Sequence, residues 1–576
     1  MNHRLFLPLF LGSLTLLRLL YGAQIDLSPD ESYYFQWSQH LAPSYFSKGP
    51  GIALAIWLST HLFGISEFGV RAFSPLLALG TSLIIAHLAK RLYDAPTAVW
   101  TVLLINCTPI FNAGSLVMTI DPLSIFFWAA ALATAYHALE KSPAFSLYWP
   151  LTGALIGAGF LAKYTNALQL LSIALLLAFT PRFRRLLFRP GFASLLLTFA
   201  LFTIPVLLWN AQHDWITLRH LGERGGLTQS HPFSPTEFLT YLGLHFGVYS
   251  PLIFGAMLFA IPASWKEARG HFPARFLLAF TLPLFLLYFS LALRQSGEPN
   301  WTAPATISLA ILTVVAWKKL ADRHRAARLF VPLALGLGAF LSILTIDPEL
   351  LRRAHLPLSY DLDPSARLRG WRTAAQKVET IRAQYEASIG EPVFLIGNNY
   401  ATSSILAFYL EKKRPTAPLH PPIYCPMSPV PGNQFYFWPR YDATIPYTDQ
   451  ARDLLPTLPE PQRAPLAAAL AQFTSQSTPA TPDSARLLQT TFLRALQLAA
   501  PELPIDENDS ESSGSNPFLG RSALYITDRP EGKPADSIIR EFAHCQLLAC
   551  FDISRRGLPL RQIRVFSCSQ FRQPEL

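Results

Sequence analysis

The sequence predicts an α-helical polytopic membrane domain followed by a soluble α/β domain. Composition supplies the first reason: 51% of the 576 residues are hydrophobic and only 15% are charged, against about 25% charged in ordinary soluble proteins. Placement supplies the second, because the long apolar runs fall almost entirely within residues 3–346, whereas 347–576 is mixed and Pro-rich. The third is charge pattern: Lys and Arg gather in short turns between alternate apolar runs, as the positive-inside rule requires. A domain boundary is expected near Asp347, giving a membrane domain over 1–346 and a soluble domain over 347–576.

A bilayer core takes about 20 apolar residues per helix. Candidate spans lie near 4–22, 70–89, 95–113, 122–139, 148–162, 165–181, 191–209, 240–262, 276–293, 303–317 and 329–346, about eleven in all. With Met1 on the cytoplasmic side, every second turn is basic: Lys90 and Arg91; Arg182, Arg184, Arg185 and Arg189; Lys266, Arg269 and Arg275; then Lys318, Lys319, Arg323, Arg325 and Arg328. An odd number of spans places 347–576 outside. A cleaved signal peptide ending near Ala23 is the alternative for the first span. The short apolar stretch 51–64 is expected to lie along the interface.

The net charge of +10 is accounted for by these turns. No basic surface with interleaved aromatics stands outside them, so nucleic acid is excluded as a partner. Of the five cysteines, Cys107 sits in an apolar span, while Cys425, Cys545, Cys550 and Cys568 lie in the soluble part. An oxidising compartment permits disulfides among these four, or leaves free thiols.

Sorted by side, the outward loops hold the ionisable and aromatic residues that chemistry needs. The first loop carries Asp30, Glu31, Tyr33 and Tyr34, then Tyr45 and Lys48; Asp121 opens the fourth span; Lys163 and Tyr164 follow the fifth. Later loops bring Trp209-Asn210, His213-Asp214-Trp215, Arg219 and Arg224, then Glu298, Asn300 and Trp301. Charged groups near hydrocarbon are costly and are retained mostly where function needs them. Each also has a plainer reading. Asp30 and Asp121 can cap helices, Lys163 can snorkel, His213 can be an ordinary surface histidine, and the tryptophans can be interfacial anchors.

The ordered series Asp30-Glu31-Ser32-Tyr33-Tyr34, Tyr45-Phe46-Ser47-Lys48-Gly49-Pro50, Asp121-Pro122-Leu123, Lys163-Tyr164-Thr165, Trp209-Asn210 with His213-Asp214-Trp215, and Glu298-Pro299-Asn300-Trp301 resembles the bacterial family 39-type glycosyltransferases. These include protein O-mannosyltransferases, lipid A aminoarabinose transferases and lipopolysaccharide-core galacturonosyltransferases. The likeness continues into Asp363-Pro364-Ser365-Ala366-Arg367-Leu368-Arg369-Gly370-Trp371.

The resemblance implies a GT-C fold in a bacterial inner membrane, with the C-terminal domain in the periplasm. It also implies transfer of a sugar from a polyprenyl-phosphate donor to a lipid or glycan acceptor. Catalytic roles then fall to Asp30 as general base, with Glu31 and Asp121 beside it, Glu31 being equally suited to orienting the loop. Donor-phosphate contacts fall to Lys48 and Lys163. Substrate contacts fall to Tyr33, Tyr34, Tyr45, Tyr164, His213, Arg219, Glu298, Asn300 and Trp301. A divalent metal helped by Asp30 and Asp121 is a further option. However, Ser47 stands where the aminoarabinose transferases carry an acid, and Asp30, Asp121 and Glu298 do not make an evident oxygen cage. The competing readings are a sugar-lipid transporter or flippase, against which the halves show no clear repeat, and a non-catalytic envelope-assembly protein.

In the soluble part, 371–387 reads as a helix, 392–397 as a buried strand, 401–411 as a helix, and 523–527 and 562–566 as strands, an α/β rhythm. Asp506 to Asn516 reads as a polar, flexible loop. No nucleophile triad, Walker loop or metal-ligand spacing stands out there, which suits a structural or acceptor-recognising cap.

Overall fold

The computed structural model describes residues 3–141, 144–224, 232–353, 360, 363–410, 422–428, 430–475, 482–501, 514–529, 533–555 and 558–572. The chain divides into two compact units, Met1–Arg369 and Gly370–Leu576.

The first unit is helical. Among the described residues seven helices are long and apolar enough to cross a membrane, or eight if the bent pair Pro235–Tyr249 and Pro251–Ala268 forms one span. The protein is therefore a multi-pass membrane protein. At its centre lies helix Ala303–Arg323, in which every residue from 303 to 317 is buried. Around it pack Ala95–Asn106, Ile120–Lys141, Pro251–Ala268, Phe272–Leu291 and Arg325–Ile346. A helix apolar on all sides needs protein or lipid around it. Pro190–Gln212 meets that need outward, exposing Leu197, Leu201, Leu207 and Leu208.

The expected spans near 95–113, 148–162 and 165–181 form shorter helices, Ala95–Asn106, Tyr148–Ala162 and Tyr164–Phe179. The expected single span 240–262 is broken: its two helices meet at 116° around Ser250, whose φ is 75°. Pro251 is the cause, since proline offers no N–H to continue a helix and drives the preceding residue out of the α region. Helix Gly51–Phe63 has 13 residues, and at 1.5 Å per residue it is too short for a core about 30 Å thick.

The boundary expected at Asp347 moves to Arg369. Segment 347–369 groups with the helical unit, to which the Tyr21 hydroxyl ties it, while its charges pair with one another. Arg369 donates to Asp347 at 3.0 Å and to the Tyr21 hydroxyl at 3.3 Å, and Arg352 bridges Glu349 and Asp363.

The second unit holds a four-stranded sheet in the order Phe394–Gly397, Ala523–Thr527, Leu558–Phe571, Phe542–Arg555. The first pair is parallel and the others antiparallel. Helices Trp371–Ile389 and Tyr400–Leu410 cover one face through Ala374, Val378 and Leu406. Phe394, Tyr424, Tyr441, Phe518 and Phe566 pack on the other. Cys545 and Cys568 face each other across neighbouring strands and are disulfide-bonded, whereas Cys107, Cys425 and Cys550 are free. Of the expected flexible loop, residues 506–513 lie outside the described residues, while Gly514–Ser515 pairs with Ile445–Pro446.

Candidate active site

The first loop is built before it is functional. Ser28 caps helix Pro29–Gln39: its hydroxyl accepts from the Glu31 amide, while the Glu31 carboxylate accepts from the Ser28 amide, a reciprocal capping box. The same carboxylate receives Arg71 Nε and Nη2, both at 2.6 Å, and the Met118 amide at 2.9 Å. Arg71 also donates to the carbonyls of Gly22, Ile25 and Asp26. Glu31 is 0% exposed. Of the two roles expected for it, catalytic or loop-orienting, these contacts serve the second, since each of its acceptor positions holds the loop. Breaking a buried ion pair by removing one partner costs roughly 3–5 kcal/mol. Arg71→Met is thus expected to lower the unfolding temperature sharply in a thermal scan of the detergent-solubilised protein; an unchanged transition would show that the pair is not the anchor.

Tyr45, expected at the substrate, is likewise engaged within the loop. It is fully buried, stacks on Trp37 with centroids 4.4 Å apart, and donates its hydroxyl toward the carbonyls of Trp37 and His40. Tyr33 is buried edge-on against Trp37. Half-buried Tyr34 also meets Trp37 edge-on. These rings fix the loop rather than line an open site.

What the anchoring achieves is the presentation of Asp30 and Lys48. Water reaches the Asp30 side chain, which makes no hydrogen bond or ion pair among the described residues. Loss of solvation among the surrounding protein raises its carboxyl above the usual range; Arg367 opposes this, Glu31 adds to it, Arg224 opposes and Asp121 adds. Lys48 is half-buried and its ammonium likewise has no hydrogen-bond or ion-pair partner among the described residues. Burial, then Arg224 and Lys163, bring it down to about 8, with Asp121 and Asp30 opposing. Its position depends on two glycines. A Cβ on Gly49 would overlap the Leu161 carbonyl, and one on Gly51 would stand 2.9 Å from the Ala162 amide. The segment therefore lies directly on the helix end that precedes Lys163.

A second cluster stands beside it. Lys163 is 7% exposed and donates to Asp121 Oδ1 at 2.8 Å and toward the Asn300 carbonyl at 3.4 Å. Asn300 Nδ2 donates to Asp121 Oδ2 at 2.7 Å. Both carboxylate oxygens of Asp121 are thus engaged, and the Lys163 ammonium, expected at the donor phosphate, pairs with Asp121 in this structure. Asp121, one of the acids expected to help hold a divalent cation, has both oxygens occupied by Lys163 and Asn300. Among the described residues no group of three or more His, Cys, Asp or Glu side chains is arranged to hold a metal ion.

Helix Ile216–Arg224 closes another side. It is tied to the first loop by Thr217, whose hydroxyl donates to the Tyr45 carbonyl at 3.2 Å. Arg224 lies over the Trp301 ring at 5.8 Å, and His220 packs on Phe46 at 4.6 Å. Burial, Lys48 and Arg224 lower the His220 imidazole below its usual value, against Glu223. Arg219, expected at the substrate, is exposed and its side chain is unpartnered among the described residues; Arg224, five residues on, is the arginine whose charge Asp30 and Lys48 sense. His213 is a helix terminus, stacked on Trp209 at 3.9 Å with Nδ1 2.7 Å from the Trp209 carbonyl. Tyr164 pairs with Ser44 at 3.3 Å. Trp301 also meets Tyr288 at 5.2 Å, and Glu298 is exposed with no side-chain hydrogen bond among the described residues.

Two groups escaped the sequence reading as site residues. Arg71 carried no signal beyond lying in an apolar run, whereas Arg367 sits in the motif after the last span and acts on Asp30 more strongly than any other charge.

These helices and loops constitute a GT-C fold. The crystal structure of ArnT from Cupriavidus metallidurans in the apo state superposes with a TM-score of 0.52 at 16% identity, covering 97% of both chains. Residues 47–209 match the family described as dolichyl-phosphate-mannose-protein mannosyltransferase. The chain is 30% identical over 292 residues to the lipid A galacturonosyltransferase RgtD of Rhizobium johnstonii, covering 50% of this chain and 60% of that protein. It is 27% identical over 367 residues to undecaprenyl phosphate-alpha-4-amino-4-deoxy-L-arabinose arabinosyl transferase 2 of Pseudomonas fluorescens, covering 60% of this chain and 64% of that one. The matched part therefore spans about three fifths of these curated relatives. The resemblance read from the motif series is borne out.

Proposed function

We propose that this protein transfers a sugar from a polyprenyl-phosphate carrier to a hydroxyl of a lipid or glycan acceptor, at the outward face of a bacterial inner membrane. The single observation that carries the reading is the pairing of an unbonded, water-reached carboxylate, Asp30, with unpartnered Lys48 on one loop pinned by Glu31 and Arg71. The names of the galacturonosyl and arabinosyl relatives support the class of reaction.

In this reading the acceptor oxygen attacks the anomeric carbon while the bond from that carbon to the phosphate oxygen breaks. The electron pair leaves with the phosphate and the acceptor proton passes to Asp30. Lys48 and Arg224 meet the charge that develops on the leaving group. Asp121, held by Lys163 and Asn300, fixes the sugar or acceptor, and Trp301 offers it a flat apolar face. In this reading the soluble unit lies in the periplasm and recognises the acceptor.

The test is transfer by purified protein in lipid vesicles, with a panel of polyprenyl-phosphate sugars, neutral, cationic and anionic, and an extract of envelope acceptors. Product formation is expected from one donor class. Movement of sugar-lipid across sealed vesicles without product would replace this reading with transport.

A further inference from the structure

His245 lies in helix Pro235–Tyr249, immediately before the 116° break, and is 0% exposed. Aromatic rings enclose it: Tyr241 at 4.5 Å, Phe254 at 5.1 Å, Phe289 at 5.2 Å and Tyr249 stacked at 5.6 Å. A leucine or phenylalanine would suit such surroundings if packing were all that the position served. Both imidazole nitrogens are nevertheless used. Nδ1 stands 2.8 Å from the Tyr241 carbonyl and Nε2 stands 2.9 Å from the Thr302 hydroxyl. A carbonyl only accepts, so Nδ1 carries a proton, and Nε2 meets the Thr302 hydroxyl, which also reaches the Pro299 carbonyl of its own turn at 3.1 Å.

Thr302 ends the short turn Pro299–Thr302. In that turn, Asn300 donates to Asp121 Oδ2 and offers its carbonyl to Lys163. Tyr249 also reaches the Thr302 hydroxyl, at 3.5 Å. The broken helix thus holds the floor of the turn by one threonine, and the turn holds the Asp121 cluster by one asparagine. We propose that His245 is a positioning residue for the transfer reaction, acting through Thr302 on the Asn300, Asp121 and Lys163 cluster. The inference rests on the transfer reading above.

The test compares His245→Asn, His245→Gln, Thr302→Val and the double variant His245→Asn/Thr302→Val in the full chain. Asn keeps a donor for Tyr241 and loses the contact with Thr302, whereas Gln reaches as far as Nε2 did. A small misplacement at a reacting site costs about 10- to 100-fold. His245→Asn and Thr302→Val are therefore each expected to lower kcat by about that factor while donor KM stays within about twofold. Gln is expected to restore most of the rate, and the double variant to be no slower than the worse single one. Wild-type kcat in the Asn and Val variants, additive losses, or Gln no better than Asn would overturn the proposal.

A second arm needs no activity. Hydrogen exchange at backbone amides 298–303 is expected to quicken in the Asn and Val variants and not in Gln; unchanged exchange would also overturn it. Absence of transfer by the wild type would count against the function alone, leaving the exchange arm to decide the role of His245.

Discussion

Asp30→Asn is expected to insert, fold and unfold at the wild-type temperature while losing about 10²- to 10⁴-fold in transfer rate, the usual contribution of a placed general base. Folding should survive because the Asp30 carboxylate makes no hydrogen bond or ion pair among the described residues and water reaches it. The work of holding the loop falls on Glu31, one residue along. Asp121 cannot readily take over as base, since Lys163 and Asn300 occupy its two oxygens. The raised Asp30 carboxyl makes a stronger base than an ordinary aspartate and sets a sign for pH. Only the deprotonated form acts, so kcat/KM should climb with pH through a value above the usual carboxylate range. Transfer by the Asn variant at a tenth of the wild-type rate or more would assign proton removal elsewhere.

The opposite limb of the same profile belongs to Lys48. Its ammonium is brought down to about 8, so the cation that meets the leaving phosphate is present below that pH and is lost as pH rises through it. The profile of kcat/KM, which reports the free protein, should therefore be a bell whose alkaline side falls near pH 8. Lys48→Arg keeps the charge to far higher pH and should carry the alkaline limb upward, even if the altered geometry lowers the plateau. Lys48→Ala should cost about 10²- to 10³-fold, the typical loss when one charge-stabilising donor is removed from a reaction centre. An alkaline limb that stays in place in the Arg variant would show that another group titrates there.

The fold was legible wherever one physical signal dominated. Apolar length and basic turns located the helical unit, and periodicity located the helices Trp371–Ile389 and Tyr400–Leu410 and the strand Ala523–Thr527. Reading failed where hydropathy and backbone geometry diverged, as at Ser250 and Pro251, where an apolar run hides a sharp bend. It also missed strand Phe542–Arg555, whose outward residues mix Leu547 and Leu548 with polar neighbours and so break the alternation a strand should show.

The site was legible as a set of residues and not as a division of labour. Lys48 and Lys163 look alike in sequence, each a lysine in an outward loop. Only the position of Asp121 makes one a bound strut and leaves the other open. Glu31 and Asp30 differ in the same way, through an arginine forty residues distant whose partner nothing in the sequence announces. Arg219 and Arg224 lie on one short helix, and the turn of that helix selects the second.

The placement of the unit boundary after Arg369 has a practical bearing on how the protein may be taken apart. A chain trimmed where the apolar sequence stops would lose Arg367, the strongest charge acting on Asp30, and with it the Arg369 and Arg352 pairings that hold the trailing segment. Silence from such a fragment would say nothing about the C-terminal unit, because the fragment would lack part of the proposed reaction centre. Chimeras that exchange C-terminal domains between relatives are informative only if spliced at Gly370 or beyond, so that the C-terminal unit changes while the helical unit stays whole.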